Sequence, residues 1–218
     1  MPPTSCDALV IVFAKAPRAG EVKTRLIPAL GAEGAAALHR QLLHRTLATA
    51  TDAGLGPVEL HGAPDIDDAF LQDCGRHFGV ALVPQRGSDL GARMCRAFED
   101  GLARHARVII IGADCPVLTA QHLRDAHAAL EQGQGGNDAV LIPAEDGGYV
   151  LIGLARCDAR LFEGIAWGGD SVLAVTRERL QSLGWRRREL ETLWDLDRPE
   201  DYRRWSEQLI AHDNSPLA

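Results

Sequence analysis

The sequence lacks several patterns that mark common classes of protein. Its five cysteines form no CxxC pair and their number is odd, so we expect free thiols in a reducing cytoplasm. Its eight histidines form no HExxH motif or other zinc spacing. No apolar run approaches the length of a membrane span, and no basic leader with a cleavage site is found near the start. These absences disfavour a disulfide scaffold, a zinc enzyme and a membrane-spanning protein.

The net charge is also of the wrong sign for bulk nucleic-acid binding. The chain has 23 Lys and Arg residues against 30 Asp and Glu residues, a net charge of -7, whereas a nucleic-acid-binding domain needs a basic face. Its 218 residues suffice for one ample core, and no linker divides them. We therefore expect one domain over residues 1–218, with a small-molecule substrate and no nucleic acid as its partner.

The most informative stretch begins with an apolar run, Ala8–Ala14, which predicts a strand buried on both faces. A loop follows, marked by Pro17 and Gly20. Its four cations are Lys15, Arg18, Lys23 and Arg25. On a strand-to-helix loop of an acidic chain they indicate an anionic ligand, most simply a phosphate chain, which backbone N–H groups would also bind. The alternative is a solvated basic loop without a ligand.

Two common phosphate-binding motifs are excluded at this loop. A Walker loop has a glycine directly before its Lys-Thr pair, but here Gly20 lies three positions before Lys23. A dinucleotide fingerprint has three glycines in the first turn, and this turn contains only Gly20. A phosphate site at this loop would therefore rely on its cations.

The rest of the chain alternates predicted helices with predicted strands. The helices are Gly31–Ala53, Asp65–Cys74, Ala92–Arg104, Ala120–Glu131, Asp170–Leu183 with Asp170 as its N-cap, and Arg198–Ile210. The further strands are Pro57–His61, Val80–Pro84, Arg107–Ile111, Ala139–Pro143 after a Gly-rich turn at 133–138, Gly147–Leu154 and Trp185–Leu190. This order predicts an α/β domain around a mostly parallel sheet, with ligands outside the carboxyl ends of the strands. The apolar face of the first helix fits packing inside the fold or between subunits, so a homo-oligomer stays an open alternative.

Carboxylates follow three of the predicted strands. Asp114 ends the apolar run VIIIGAD, and Asp146 lies in the turn after the next strand. Asp195 and Asp197 follow the final strand. Locally, each fits a turn or a helix cap. Together, acidic groups on three strand ends facing one basic loop match the needs of a magnesium-bound di- or triphosphate.

Five stretches resemble a bacterial family of glycosyltransferase-like, or selenodomain-associated, transferases, which belongs with the GT-A-fold nucleotide-diphospho-sugar transferases. The stretches are FAKAPRAGEVKTRL, GADCP, EDGGYVLIGL, the Trp167-Gly-Gly segment and DLDRPEDY. The chain is also similar to the guanylyltransferases of molybdopterin and deazaflavin cofactor synthesis. The resemblance runs from about Leu9 to Trp205 and implies a GT-A-like three-layer α/β/α sandwich with a mostly parallel central sheet.

The resemblance also implies site residues. The loop for the nucleotide phosphates comprises Ala14 and residues Lys15 through Arg25, including Arg18 and Gly20, with Lys23 and Arg25 as the direct contacts. The base pocket comprises Gln85, Gly87, Leu90 and Gly91. Asp114 is implied as the principal ligand of Mg²⁺ or Mn²⁺, Asp197 as a second metal-proximal residue and Asp195 as its substitute. Gly112 stands where GT-A enzymes have the first Asp of their DxD motif, and Gly169 where the family has Thr.

Three functions follow from these observations. The leading hypothesis is a divalent-metal-dependent glycosyltransferase, in which the metal, Lys23 and Arg25 stabilise the departing diphosphate of a nucleotide sugar. On the acceptor side we place Asp146 as a base, with Gly147, Tyr149 and Trp167 beside it. The two aromatic residues could stack on a sugar or base, or simply pack. The rival is nucleotidyl transfer from a nucleoside triphosphate, which depends most on Arg18 and Lys23. The third is a nucleotide-binding module without turnover.

Overall fold

The computed structural model describes residues 8–131 and 136–213 of the chain. Strands and helices alternate along these residues, as the sequence predicts. The strands are β1 (Ala8–Lys15), β2 (Val58–Ala63), β3 (Ala81–Pro84), β4 (Arg107–Gly112), β5 (Ala139–Pro143), β6 (Tyr149–Leu154) and β7 (Arg187–Glu189). The helices are α1 (Ile27–Asp52), α2 (Ala69–Phe78), α3 (Leu90–Leu102), α4 (Ala120–Glu131), α5 (Val172–Ser182) and α6 (Pro199–Asp213).

All of these strands join one sheet, in the order β3-β2-β1-β4-β6-β5-β7. Strand β6 pairs antiparallel with both of its neighbours, while the other pairs are parallel. The reason is local: Gly147 and Gly148 make a tight turn between β5 and β6, so the chain reverses without a crossover helix. The predicted mostly parallel α/β fold is confirmed, and the carboxyl ends of β1 and β4 lie side by side.

Alternate residues of the strands face two different hydrophobic cores. Val10 and Val12 of β1 pack in a core with α1, α2 and α4. Leu9 and Ile11 pack in a second core with α3 and α5. Because both faces of the sheet are covered, the central strands read as continuous apolar runs. A third cluster joins Trp194 and Leu196 to α1 and α6, which completes the predicted three-layer arrangement.

Several element boundaries differ from the predictions for local reasons. Helix α1 begins at Ile27 but breaks at Gly31, where φ is 71° and ψ is 167°, so its continuous part begins where predicted. Helix α2 begins four residues after its predicted start because Asp68 caps it through hydrogen bonds from the N–H groups of Phe70 and Leu71. The prediction that Asp170 caps α5 is wrong, since the residue before that helix is Ser171 and its side chain makes no capping bond.

The four cysteines in the described part of the chain are free. Cys6 and the first three residues, 133–135, of the Gly-rich turn predicted at 133–138 lie outside the described residues. Within residues 8–131 and 136–213, no helix is both long enough and apolar enough to cross a membrane.

Candidate functional site

A cavity of about 630 Å³ opens at the carboxyl ends of β1 and β4. Its floor is formed by the ends of these strands, and one wall by the basic loop between β1 and α1. The residues that line it are Phe13, Ala14, Lys15, Glu21, Val22, Lys23, Thr24, Arg25, His39, Gln85, Leu90, Arg93, Gly112, Ala113, Asp114, Trp167, Gly168 and Asp197. The cavity thus lies at the edge of the sheet where α/β proteins bind ligands.

The ammonium group of Lys23 lies at the centre of the charged part of the cavity. Its Nζ is 2.6 Å from Oδ1 of Asp114 and 2.9 Å from Oδ1 of Asp197, and it donates to the carbonyl oxygen of Leu196 at 2.7 Å. Only 3% of the side chain is exposed. The Lys23 backbone is left-handed, with φ at 48°, the only such non-glycine conformation among the described residues. A backbone outlier held by such contacts is typical of functional loops.

The charges of Lys23 and Asp114 stabilise each other. Burial disfavours the charged form of Lys23, but the two carboxylates outweigh it and raise the pKa of this lysine above its ordinary value. Burial likewise favours neutral Asp114, but the Lys23 charge outweighs it, so the pKa of Asp114 lies below its ordinary value. Oδ1 of Asp114 is buried, although 44% of the side chain is exposed. Its other oxygen therefore faces the cavity.

The segment that carries Asp195 and Asp197 is held against the end of β4. The N–H of Leu196 donates to the Asp114 carbonyl oxygen at 2.8 Å. Asp201 accepts the N–H groups of Asp197 and Arg198, the two residues before α6, while the carboxylate of Asp197 accepts from Lys23. Asp195 does not line the cavity. Burial, and then the charges of Asp114 and Asp197, raise the pKa of Asp195 well above its ordinary value, which favours the neutral form. Asp197 is thus the better placed of the two acids.

The loop proposed for the base is only partly in the cavity. The side-chain amide nitrogen of Gln85 donates to the carbonyl oxygens of Ala14 and His61, at 3.2 and 2.8 Å, which leaves its Oε1 as the acceptor for a ligand. Leu90 is 41% exposed. Gly87 and Gly91 do not line the cavity and instead allow close packing. A Cβ on Gly91 would lie 2.6 Å from Nε1 of Trp167, so this glycine seats the indole in the cavity wall.

Other predicted site residues lie outside the cavity lining. Arg18 pairs with Asp65 at 2.7 Å. Gly20, with φ at 85°, forms the turn of the basic loop. Asp146 is exposed in the β5–β6 turn, where its carboxylate accepts the N–H of Gly148. Gly147, also predicted on the acceptor side, does not line the cavity and packs against the backbone of residue 170.

Tyr149 is a packing residue in this structure. It lies against the second hydrophobic core, and its hydroxyl is 4.0 Å from Sδ of Met94. Burial raises the pKa of the Tyr149 hydroxyl above its ordinary value. Trp167 also packs on this core, but it lines the cavity, so only this aromatic of the acceptor-side pair could meet a ligand there.

Two cavity residues were not predicted from the sequence as ligands. His39 on α1 is only 5% exposed, yet its ring lines the cavity beside Asp114. Its spacing from the buried Ala35, Leu42 and Leu43 is a signal that could have placed it on the inward face of the helix. Arg93 fits a solvated first-turn residue by sequence; it lines the cavity and donates to the carbonyl of Gly87 at 3.3 Å.

The fold is similar to those of solved nucleotide-using enzymes. A protein of Desulfovibrio desulfuricans G20, named provisionally as a nucleotide-diphospho-sugar transferase, is 27% identical with a TM-score of 0.84, over 96% of this chain and 89% of that one. The 4-diphosphocytidyl-2C-methyl-D-erythritol synthase of Anaerococcus prevotii DSM 20548 is 12% identical with a TM-score of 0.61, over 94% and 100% of the two chains.

A third similar structure is glucosyl-3-phosphoglycerate synthase of Mycobacterium tuberculosis in complex with Mn²⁺, UDP and glucosyl-3-phosphoglycerate. It is 13% identical with a TM-score of 0.56, over 94% of this chain and 77% of that one. These similarities agree with the predicted nucleotide-diphospho-sugar transferase fold. No protein of curated function matches the sequence.

A family model matches residues 46–169, which is more than half of the chain. The matched segment includes the end of β4 with Asp114 and the β5–β6 turn with Asp146. The chain therefore belongs to the DUF2064 family, described as an uncharacterized protein family conserved in bacteria.

Proposed function

We propose that this protein is a divalent-metal-dependent transferase that uses a nucleotide donor, and that it transfers a sugar from a nucleotide-diphospho-sugar to a small-molecule acceptor. The observation that carries the proposal is the placement of Asp114, Lys23 and Asp197 together at the carboxyl end of β4, beside the basic loop. The 27% identical protein from Desulfovibrio, named as a nucleotide-diphospho-sugar transferase, supports the donor class.

The residues around Lys23 fit a divalent cation. Two carboxylates and a carbonyl oxygen already surround a positive charge, and hard oxygen ligands are those that Mg²⁺ and Mn²⁺ take. A buried histidine nitrogen beside Asp114 has no hydrogen-bond partner. Asp114 and Asp197 would hold the cation, with Asp195 as the substitute ligand. When bound, the cation would act as a Lewis acid toward the departing diphosphate.

The cationic side chains of the loop would bind the phosphates. Lys15 and Arg25 are exposed in the cavity wall and are placed to do so without rearrangement. Lys23 can reach a phosphate only by leaving its two carboxylates, so we propose an exchange: Lys23 would turn to the diphosphate when Asp114 and Asp197 hold a cation. The base would lie along Leu90, with Oε1 of Gln85 accepting from it.

The acceptor would enter from the side of the β5–β6 turn. Asp146 is exposed there. Its charge and that of Asp114 both raise the pKa of Asp195, so Asp195 lies near both of these carboxylates. We propose Asp146 as the base that removes a proton from the acceptor hydroxyl. Within residues 8–131 and 136–213 its carboxylate accepts one hydrogen bond, from the N–H of Gly148 to Oδ1, which leaves Oδ2 for the acceptor.

Nucleotidyl transfer is the second candidate. It is favoured by Gly112, which removes the first carboxylate of the DxD pattern and leaves Asp114 alone at the end of β4. The similar structures of a cytidylyltransferase from Leptospira borgpetersenii and of the 4-diphosphocytidyl-2C-methyl-D-erythritol synthase from Anaerococcus also support it. Against it stands Arg18, on which this reaction would depend most, because its guanidinium is held by Asp65 outside the cavity lining.

The test is a thermal-shift panel of nucleotide sugars and nucleoside triphosphates, each with Mn²⁺, with Mg²⁺ or with EDTA. A ligand at 100 times its Kd stabilises the native state by about 2.7 kcal/mol, which in a chain of this size raises Tm by about 5–10 °C. We expect such a rise with one nucleotide sugar plus metal. It should disappear in Asp114→Asn and persist in Asp67→Asn, a matched change of an exposed carboxylate outside the cavity.

Donor consumption separates the candidate reactions. The stabilising donor is incubated with a pool of small bacterial metabolites and followed by ³¹P NMR. Release of a nucleoside diphosphate supports sugar transfer, whereas release of pyrophosphate from a triphosphate would replace it with nucleotidyl transfer. Tight binding without consumption would indicate a binding module, and no shift with any nucleotide would contradict the nucleotide site itself.

A further inference from the structure

His39 is held rigidly by one of its two ring nitrogens. The side chain is 6% exposed, and Nε2 lies 3.0 Å from the backbone carbonyl oxygen of Lys15. Since a carbonyl oxygen only accepts hydrogen bonds, Nε2 must carry a proton. In the neutral ring this places the lone pair on the other nitrogen, Nδ1.

This lone pair has no hydrogen-bond partner among the residues that the structure describes. Nδ1 of His39 is buried without a hydrogen bond, and it is 3.9 Å from Oδ1 of Asp114. The Lys23 ammonium, 2.6 Å from the same Oδ1, supplies the positive charge there in this structure, and without it the two electron-rich atoms would repel each other. His39 thus directs an unused acceptor at the carboxylate that the proposed function assigns to a metal.

We propose that Nδ1 of His39 is a ligand of the divalent cation, together with Asp114 and Asp197. This inference rests on the proposed function and makes it more specific. The hydrogen bond from Nε2 to a backbone carbonyl is the arrangement that fixes the ring of metal-binding histidines in general. Among the residues that the structure describes, no three acidic, histidine or cysteine side chains already enclose one point. The set is completed only when the Lys23 ammonium, 2.6 Å from Asp114, withdraws.

The nitrogen ligand decides which cation the site prefers. Carboxylates alone serve Mg²⁺ and Mn²⁺ alike, whereas imidazole binds transition metals much better than it binds Mg²⁺. A site with His39 beside two carboxylates should therefore select Mn²⁺ over Mg²⁺.

The test measures the metal directly, with Mn²⁺ alone and Mn²⁺ plus inorganic pyrophosphate as probes. Pulsed EPR of bound Mn²⁺ should show modulation from a coordinated ¹⁴N nucleus, and the pattern should change to that of ¹⁵N in protein grown with ¹⁵N-histidine. This comparison needs no substitution, so it holds even if a variant folds poorly. His39 is the one histidine in the cavity lining.

Variants then assign the nitrogen. His39→Phe should abolish the modulation and lower the ratio of Mn²⁺ to Mg²⁺ affinity by about tenfold or more. His44→Phe, an exposed histidine on the same helix, should change neither. Bound Mn²⁺ that needs Asp114 but shows no histidine nitrogen would overturn this inference and leave the proposed function standing. If the wild-type protein binds no Mn²⁺ with either probe, the inference and the metal dependence both fail.

Discussion

At the scale of single residues, Lys23 decides the electrostatics of the site. Its ammonium neutralises Asp114 and Asp197 in a place where only 3% of the lysine side chain meets solvent. Removing one member of such a group leaves charges that are neither paired nor fully hydrated. The proposed exchange between Lys23 and a metal ion follows from this: the carboxylates need a positive charge, and either of the two can supply it.

Lys23→Met should lower the free energy of unfolding by about 2–4 kcal/mol, because two neighbouring carboxylates lose their counterion. Saturating Mg²⁺ or Mn²⁺ should then stabilise the variant more than it stabilises the wild type, since the ion replaces the missing charge. Urea unfolding with metal and with EDTA measures both effects. Arg25→Met is the control: Arg25 is 61% exposed and 3.8 Å from Asp197, so we expect a loss below about 1 kcal/mol. Equal stabilisation of Lys23→Met and wild type by metal would contradict the exchange.

At the scale of elements, the β5–β6 hairpin is joined to the segment before α5. Gly147 has φ at 90°, and its carbonyl oxygen accepts the N–H of Leu173 at 2.9 Å. A Cβ added to Gly147 would lie 2.1 Å from the carbonyl oxygen of Asp170. Gly147, which the sequence places on the acceptor side, thus lets the two backbones come into contact. This contact also positions Asp146, the residue before it.

Gly147→Ala should destabilise the protein by about 2–4 kcal/mol, because it adds a clash with backbone to an unfavourable φ. Gly148→Ala is the matched control, since its Cβ would approach only the Asp146 carboxylate, at 3.2 Å, and its φ is unexceptional. Chemical denaturation of both variants gives the comparison. A difference below about 1 kcal/mol between them would show that the hairpin can move away from the α5 segment at little cost.

At the scale of the whole molecule, segments that are distant in sequence pack against one another. Strand β1 lies near the middle of the sheet, and α1 contributes to two hydrophobic clusters that are otherwise built from distant segments. These clusters tie together distant parts of the chain that the structure describes. They support the prediction of one domain over residues 1–218.

We expect one cooperative unfolding transition in urea. Trp167 and Trp185 report on the second core, and Trp194 and Trp205 on the third cluster. The fluorescence midpoints of the double variants Trp167→Phe/Trp185→Phe and Trp194→Phe/Trp205→Phe, each referred to the far-UV circular dichroism midpoint of the same variant, should coincide. Separate fluorescence and dichroism midpoints would mean that the cluster at α6 is an independent unit and that the single-domain prediction fails.

Much of the fold could be predicted because its signals are local. The Val- and Ile-rich runs of β1 and β4 mark buried parallel strands, and helix α4 has the predicted bounds. Predicted helix boundaries were wrong where a single side chain determines the boundary. Helix α2, for example, is capped by Asp68 and not by an earlier residue. The meeting of Lys23, Asp114 and Asp197 in one cavity could be expected because each follows a strand, and strand ends in parallel sheets meet at one edge. Their role as functional residues stays a prediction.

The amino-acid pattern alone was enough for the α/β class, the basic loop and the carboxylates at the strand ends, because each depends on neighbours in the chain. Tertiary contacts decided how those charges are used. Lys23 and Asp197 are 174 residues apart, and only the path of the segment across β4 brings their side chains to 2.9 Å. The same contacts turned Arg18 toward Asp65 and gave His39 an unpaired nitrogen in the cavity. Charge and spacing cannot specify such pairings, since they depend on where distant backbones meet.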